Sequence, residues 1–211
     1  MKNLLFVAIA YALLMLGSCG SDILAPIDPT VQAEEDSVII VDYIAELGLT
    51  GRDSILSSGV HYVILDSGSG EFIDESDIVK FNYIGMTLSD TIFDTSIQEV
   101  ADSIRVLVQE DTVGIEPSTI QQSLLLAFDE DRGFNPLEIT YSASGWPFSG
   151  RFINGFESGL AASFRLVREG AKVLVVIPSG QAYGAFGSGV LIPPNTVIAF
   201  ELFPVEVIKQ G

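Results

Sequence analysis

The alternation of apolar and polar residues is clearest along residues 77–86. Val79, Phe81 and Tyr83 fall on one face of this stretch, between Ile78, Lys80 and Asn82 on the other. A period of two predicts a β-strand with one buried face. Further alternating or apolar runs predict strands over residues 60–65, 92–96, 137–141, 172–177 and 196–208.

Helical spacing of apolar residues occurs in three other stretches. Residues 34–47 predict a short helix that ends at Gly48, a typical C-cap. Ser118 and Gln121 form a capping-box pattern before apolar residues 120–128. Residues 155–164 carry Phe156, Leu160 and Phe164 four apart, which predicts a helix with one apolar face. The short run 104–108 predicts a strand instead.

The first residues have the pattern of an export signal. Lys2 precedes an apolar run from Leu4 to Leu16, which is too short to span a bilayer comfortably. We interpret residues 1–18 as a signal peptide, the alternative being an uncleaved membrane anchor. The segment Leu16-Gly17-Ser18-Cys19 resembles a bacterial lipobox, which implies cleavage before Cys19 and acylation of that residue. Cys19 is the only cysteine, so an internal disulfide is excluded.

The chain as a whole is strongly acidic. Its formal net charge is −18 over 211 residues. An acidic surface repels phosphate backbones, so nucleic acid is not expected as a partner. Solubility alone is a sufficient explanation of this charge.

Most catalytic patterns are missing from the sequence. His61 is the only histidine and falls within an alternating strand, where a structural role is expected. Without a second histidine or another cysteine, a zinc site of the usual ligands is not expected. Neither a Gly-x-Ser-x-Gly elbow nor a Gly-Lys-Ser/Thr phosphate loop occurs. What remains is a set of aromatic residues with one carboxylate, Asp94, among them.

Three sequence blocks place these residues in a recognisable order. The first runs from Val79 to Gly85 and continues with Phe93-Asp94-Thr95-Ser96; the second is 152–160. The third lies in a glycine-rich loop, residues 181–194, and continues through Phe200-Glu201-Leu202. Taken alone, the loop would suit a hairpin connection. The three blocks together resemble the FK506-binding-protein (FKBP) family of peptidyl-prolyl cis-trans isomerases, over residues 60–95 and 135–209.

The resemblance implies an α+β fold in which a bent antiparallel β-sheet wraps around one short α-helix, residues 155–164. We expect the FKBP-like domain to occupy residues 59–211, with a large loop insertion at 97–134. An N-terminal helical segment, 34–58, would precede it, and residues 19–33 would form a tether after the signal peptide.

The resemblance also implies an apolar pocket for proline. Tyr83, Asp94 and Tyr183 would be its catalytic residues, with Asp94 orienting a neighbouring tyrosine hydroxyl and Tyr183 donating to the substrate. Alternatively, Asp94 is only a turn residue and the aromatic residues only core. Residues expected to bind the substrate are Phe93, Phe152, Ile153, Phe156, Leu191 and Phe200, with Leu137 and Ile139 completing the wall. Neither a cofactor nor a metal is implied.

Two features depart from the family pattern. Phe156 stands where many members have tryptophan, and Ser188 replaces a larger residue of the loop. The insertion at 97–134 and a smaller one at 142–150, which carries Trp146 and Phe148, are expected near the pocket mouth. There they would bind the polypeptide that flanks proline or restrict access.

Two functions therefore stay open. The first is a peptidyl-prolyl isomerase that acts on proline-containing exported polypeptides, anchored by lipid to the bacterial cell envelope on its periplasmic or surface side. The second is a polypeptide-binding or chaperone module without turnover.

Overall fold

The computed structural model describes residues 28–114, 116–128, 133–145 and 152–210. Its helices are α1 (Pro29–Glu46), α2 (Gln98–Asp111), α3 (Thr119–Ala127) and α4 (Asn154–Phe164). Its strands are β1 (Asp53–Ile55), β2 (His61–Asp66), β3 (Ile78–Thr87), β4 (Ile92–Thr95), β5 (Leu137–Thr140), β6 (Lys172–Ile177) and β7 (Ile198–Ile208). Single 3-10 turns cover Ser179–Gln181 and Gly184–Phe186.

The described strands form one antiparallel sheet in the order β1-β2-β6-β7-β3-β4. Strand β5 also pairs with β3, so β4 and β5 share one edge of that strand. The chain leaves this edge after Thr95, which is opposite Ile84, and returns at Leu137, which is opposite Phe81. The insertion at 97–134 therefore interrupts a strand edge and leaves the central pairing of β3 with β7 intact.

One face of the sheet packs on α4, as the resemblance implies. The predicted alternation of β3 is confirmed, because Val79, Phe81 and Tyr83 are buried between more exposed neighbours. The ring of Phe81 meets that of Phe164 edge-on at 5.5 Å between centroids. Helix α4 lies very close to β6, where a side-chain carbon on Gly159 would collide with Val175. The predicted α+β class, with a sheet around a short helix, is confirmed.

The other face of the sheet is covered by α1. Ile40 and Ile44 of this helix pack in a second apolar cluster with Val63, Leu174 and Val176 of strands β2 and β6. Burial on both faces explains why β6 is a continuous apolar run, whereas β3 alternates.

Helix α1 begins five residues before the predicted start at Glu34, so residues 29–33 are helical and do not belong to a tether. The Asp28 carboxylate accepts a hydrogen bond from the Thr30 N–H at 2.8 Å and caps the helix. Pro29 suits the first helical position because no hydrogen bond is required of it there. The helix ends as predicted, with Gly48 at a φ of 68°.

The strand predicted over residues 104–108 is wrong, because these residues lie in the middle of α2. The buried side chains of α2 are Ala101 and Val108, seven residues apart and therefore on one helical face. By contrast, the predicted capping box is confirmed at α3: Ser118 Oγ accepts from the Gln121 N–H, and the Gln121 side chain accepts from the Ser118 N–H.

Several expectations fall outside the described residues. These concern the signal peptide and Cys19, and also Trp146 and Phe148 of the smaller insertion. Within the described ranges, none of the helices combines the length and the apolar character needed to cross a bilayer.

Candidate functional site

A cavity of about 470 Å³ opens between α4 and the sheet. Its lining is mainly aromatic, with one carboxylate, and comes from six separate parts of the chain. The lining residues are Tyr83, Asp94, Leu137, Phe152, Ile153, Phe156, Tyr183 and Phe200. We call this space the aromatic cavity.

Phe156, on the first turn of α4, is the centre of the ring arrangement. Its centroid lies 4.8 Å from that of Phe200 and 5.3 Å from that of Phe152. Tyr83 meets it edge-on at 6.4 Å. Such edge-on and tilted pairs are the favourable geometries for aromatic rings, so the cavity is held open by mutually braced side chains.

Gly85 explains how the strands position these rings. It is opposite Asp94 on β4 and opposite Phe200 on β7. A side-chain carbon at this position would lie 2.6 Å from the Phe200 ring and 2.8 Å from the Phe93 ring. The absence of a side chain on Gly85 therefore lets the two rings approach, and their centroids lie 5.7 Å apart.

The polar edge of the cavity is made by Tyr83 and Asp94. The Tyr83 hydroxyl donates to Oδ2 of Asp94 at 3.0 Å. Two side chains at the end of β4 fix it against β3. The Thr95 hydroxyl donates to the Tyr83 carbonyl at 2.7 Å. Ser96 Oγ accepts from the Tyr83 N–H at 2.9 Å. Asp94 is thus held in place at the strand end and orients a tyrosine.

Tyr183 reaches the cavity from the glycine-rich loop. Burial raises the pKa of its hydroxyl, and the negative charge of Asp94 raises it further. Both effects keep the hydroxyl protonated, so that it is a hydrogen-bond donor at neutral pH. Within the described part of the chain, the hydroxyl forms no hydrogen bond that would compete with a ligand.

A second cavity of about 350 Å³ adjoins the first and shares Asp94 and Tyr183 with it. We call it the outer cavity. Its other lining residues are Phe93, Ser123, Ser188, Gly189, Val190, Leu191 and Ile192. Because Ser123 belongs to α3, this helix of the insertion lies beside the outer cavity, where the insertion was expected.

The structure thus brings the predicted site residues into two connected spaces. Phe93 and Leu191 lie in the outer cavity, the rest in the aromatic cavity. Leu137 does line the wall, but Ile139 is 5% exposed and belongs to the core cluster below it. Ser123 was not predicted, because nothing in the spacing of an amphipathic helix indicates which neighbour it faces.

Other polar groups near the core have structural partners. His61, 3% exposed, is hydrogen-bonded through Nδ1 to Asp53 at 2.8 Å, which agrees with the structural role expected for it. Across the described ranges, no three His, Cys, Asp or Glu side chains are grouped in a way that suits a metal ion.

Comparison with known proteins shows what part of this chain is similar to. Residues 132–205 match the family model of FKBP-type peptidyl-prolyl cis-trans isomerases. The match covers α4, β6, the glycine-rich loop and most of β7. Over these residues the chain is similar to FKBP-type isomerases, as the sequence blocks indicated.

Individual proteins with similar sequences carry related names. The FKBP-type 22 kDa peptidyl-prolyl cis-trans isomerase of Escherichia coli is 23% identical over 168 residues, which are 80% of this chain and 59% of that protein. An FK506-binding protein of Neisseria meningitidis is 36% identical over 74 residues, 35% of this chain and 56% of that protein. The chain spans about half the length of the curated relatives it matches.

Among solved structures, a peptidyl-prolyl cis-trans isomerase of Pseudomonas syringae aligns over 88% of this chain and 100% of its own. The sequence identity is 23% and the TM-score is 0.47.

Proposed function

We propose that this protein is a peptidyl-prolyl cis-trans isomerase that acts on proline-containing polypeptides. The observation that carries the proposal is the aromatic cavity, in which Phe156 and Phe200 form an apolar floor beside the Tyr83–Asp94 hydrogen bond. Its volume of about 470 Å³ admits a pyrrolidine ring together with neighbouring backbone atoms. The family match over residues 132–205 supports the same activity.

The chemistry requires rotation about the X-Pro bond without breaking it. The barrier of about 18–20 kcal/mol is set by amide resonance, which the twisted state loses. A planar amide is the more polar form, so a cavity walled by rings disfavours it relative to the twisted form. Binding of the proline ring supplies the free energy for this distortion.

The polar edge has two tasks. The protonated Tyr183 hydroxyl donates a hydrogen bond to a substrate carbonyl and holds it while the amide rotates. Asp94 accepts from Tyr83 and keeps that ring against the cavity, so it acts by orientation and charge and forms no covalent bond.

The outer cavity extends the site along the substrate. It adjoins the aromatic cavity at Asp94 and Tyr183 and is bounded by Ser123 of the insertion. We assign it to the residues that flank proline. On this proposal, the insertion binds the polypeptide and does not close the pocket.

The site of action follows from the N-terminal pattern. Lys2, the apolar run and Cys19 support export and acylation, and residues 20–28 leave a short spacer before α1. We propose that the protein is lipid-anchored in the bacterial cell envelope and assists folding of exported proteins there. Mass spectrometry of the cell-expressed protein tests the anchor: an acylated N-terminal Cys19 supports it, and an intact Met1 contradicts it.

A protease-coupled isomerisation assay on X-Pro peptides tests the activity. Changing Tyr183→Phe removes one hydrogen bond, which contributes about 0.5–1.5 kcal/mol, so kcat/KM should fall about threefold to tenfold. Tyr43→Phe is the matched control, because this half-buried tyrosine of α1 lies outside both cavities.

A wall substitution complements this test. Phe152→Ala removes a ring of the aromatic cavity and should reduce kcat/KM by a larger factor, whereas Phe72→Ala, at a position 52% exposed, should not. Equal effects of Phe152→Ala and Phe72→Ala would contradict the assigned role of the cavity.

The second candidate function is binding without turnover. Helices α2 and α3 leave large apolar side chains exposed, which favours contact with unfolded polypeptide. These are Val106, Leu107, Ile120 and Leu126. The same assay separates the two functions, because a pure binding module retains affinity for an unfolded polypeptide and accelerates isomerisation of none of the peptides.

A further inference from the structure

A carboxylate lies in the buried stripe of α1, where an apolar residue is expected. Asp36 precedes Ile40 and Ile44 by four and eight residues, and all three residues are buried. Asp36 is 1% exposed. Burial of a carboxylate is costly unless hydrogen-bond donors replace the lost water, so its retention here calls for a specific partner.

The partner is Ser179, at the end of β6. Oδ2 of Asp36 accepts from both the N–H and the hydroxyl of Ser179, each at 2.7 Å. Oδ1 accepts from the Gln32 side chain at 2.8 Å. All three donors are uncharged, and two of them come from one residue 143 positions away in the sequence. Asp36 thus connects α1 to Ser179, which follows β6.

The position of Ser179 determines where the backbone of Tyr183 lies. Ser179 opens a 3-10 turn, in which Gln181 N–H donates to Pro178 and Ala182 N–H donates to Ser179, at 2.9 and 3.0 Å. Tyr183 is the next residue. A rigid turn of this kind passes a displacement of Ser179 on to the tyrosine, because few backbone torsions separate them.

The turn is also enclosed from the opposite side. Gly155, in the first turn of α4, approaches it so closely that a side-chain carbon there would lie 3.0 Å from the Gln181 carbonyl. The turn is therefore held between Asp36 of α1 and the start of α4, which carries Phe156. The two contacts differ in kind. Helix α4 limits by close packing how far the turn can move, whereas the hydrogen bonds from Ser179 to Asp36 fix the orientation of its first residue.

We infer that Asp36 is a positioning residue for Tyr183, and that α1 is a working part of the isomerase site. This inference rests on the proposed function for its catalytic consequence. The structural part of the inference is that Asp36 orders residues 179–183. This part depends only on the hydrogen bonds described above and not on the proposed function. Loss of the carboxylate would leave the aromatic cavity in place and release only the tyrosine at its edge.

The first measurement is hydrogen–deuterium exchange on the protein with Asp36→Asn. An amide group places a donor where Ser179 or Gln32 needs an acceptor, so exchange of the amides between Ser179 and Tyr183 should accelerate at least tenfold. Ser179→Ala removes one of the hydrogen bonds and should give a smaller acceleration. Asp42→Asn, an exposed carboxylate of the same helix, is the matched control and should change nothing in this segment.

The second measurement is a double-mutant cycle on kcat/KM with Asp36→Asn and Tyr183→Phe. If Asp36 acts through the Tyr183 hydroxyl, the first change lowers kcat/KM about threefold to tenfold in the native background and by less than twofold once the hydroxyl is gone. The loss should appear in kcat more than in KM, because the wall of the aromatic cavity is unchanged. A merely structural role would give the same factor in both backgrounds.

The outcomes separate the two proposals. Unchanged exchange in Asp36→Asn overturns the ordering of the turn, and equal factors in the two backgrounds overturn its link to Tyr183. If the native protein shows no isomerisation, the proposed function fails, and the catalytic half of this inference fails with it. The exchange data then decide the structural half on their own.

Discussion

The hydrogen bond between Tyr83 and Asp94 provides the sharpest test of the polar edge. The perturbations are Tyr83→Phe, Asp94→Ala and the double variant. The first removes the donor and keeps the ring that meets Phe156. The second removes the acceptor at the end of β4. The rings of the aromatic cavity remain in all three variants, although Asp94→Ala removes the carboxylate that lines its polar edge, so a change in rate reports this polar edge and not a lost ring.

The magnitude follows from the geometry. A hydrogen bond to a charged acceptor contributes about 1.5–3 kcal/mol, and the 3.0 Å distance with a half-buried Asp94 places this one at the lower end. We expect a coupling of about 1–1.5 kcal/mol in the free energy of unfolding. If the transition state requires the orientation that this bond provides, so that a variant without it spends this free energy on reaching the transition state, each single variant loses about tenfold in kcat/KM and the double variant little more.

The assays are urea unfolding for stability and protease-coupled isomerisation for activity. Tyr83→Phe combined with Asp42→Ala serves as the control cycle, because Asp42 is exposed on α1, across the sheet from the cavity. Its coupling should be zero within error. A coupling below about 0.3 kcal/mol for the Tyr83–Asp94 pair, or losses in kcat/KM that multiply, would refute the idea that Asp94 acts through this tyrosine.

Three further predictions concern the framework of the site. Gly85→Ala forces a carbon against two cavity rings and should destabilise the fold by about 1–3 kcal/mol and reduce isomerisation, and unchanged stability would contradict this close approach. Burial raises the pKa of Tyr141 to about 12, against 10.0 ordinarily, so its contribution to stability is complete below pH 10 and is lost as the pH rises to about 12. Tyr141→Phe should flatten that part of the stability curve, and an unchanged slope would contradict the assignment. Ser118→Ala removes the capping box and should weaken α3 by about 1 kcal/mol, seen as faster amide exchange over residues 119–127 and not over 98–111.

The sheet could be predicted from the sequence because its signals are local. The alternation along β3 and the apolar run of β6 each correspond to a burial pattern that a single strand imposes on its own residues. The same applies to α4, whose apolar residues recur every four positions. The likeness to the family then placed these elements around one cavity, which spacing alone does not do.

The errors arose where local preference and tertiary contact disagree. Residues 104–108 are rich in β-branched side chains, which favour a strand, but only Val108 among them is buried, and it pairs with Ala101 on a helical face. The early start of α1 was missed although Asp28 and Pro29 have the pattern of a cap and first turn. The hydrogen bonds of Asp36 to Ser179 join residues far apart in the sequence. The only indication of them in the sequence is a carboxylate among the apolar positions of α1.

The shared edge of β3 has a consequence for how this chain can vary in length. Ile84 and Phe81, the partners of the departing and returning strands, are three residues apart on β3, which corresponds to roughly 10 Å at about 3.3 Å per residue. A bridge of about four extended residues would span that gap. We therefore expect that the forty or so positions between the strands can be shortened, lengthened or exchanged without altering the register of the sheet, and that a replacement would emerge beside the outer cavity.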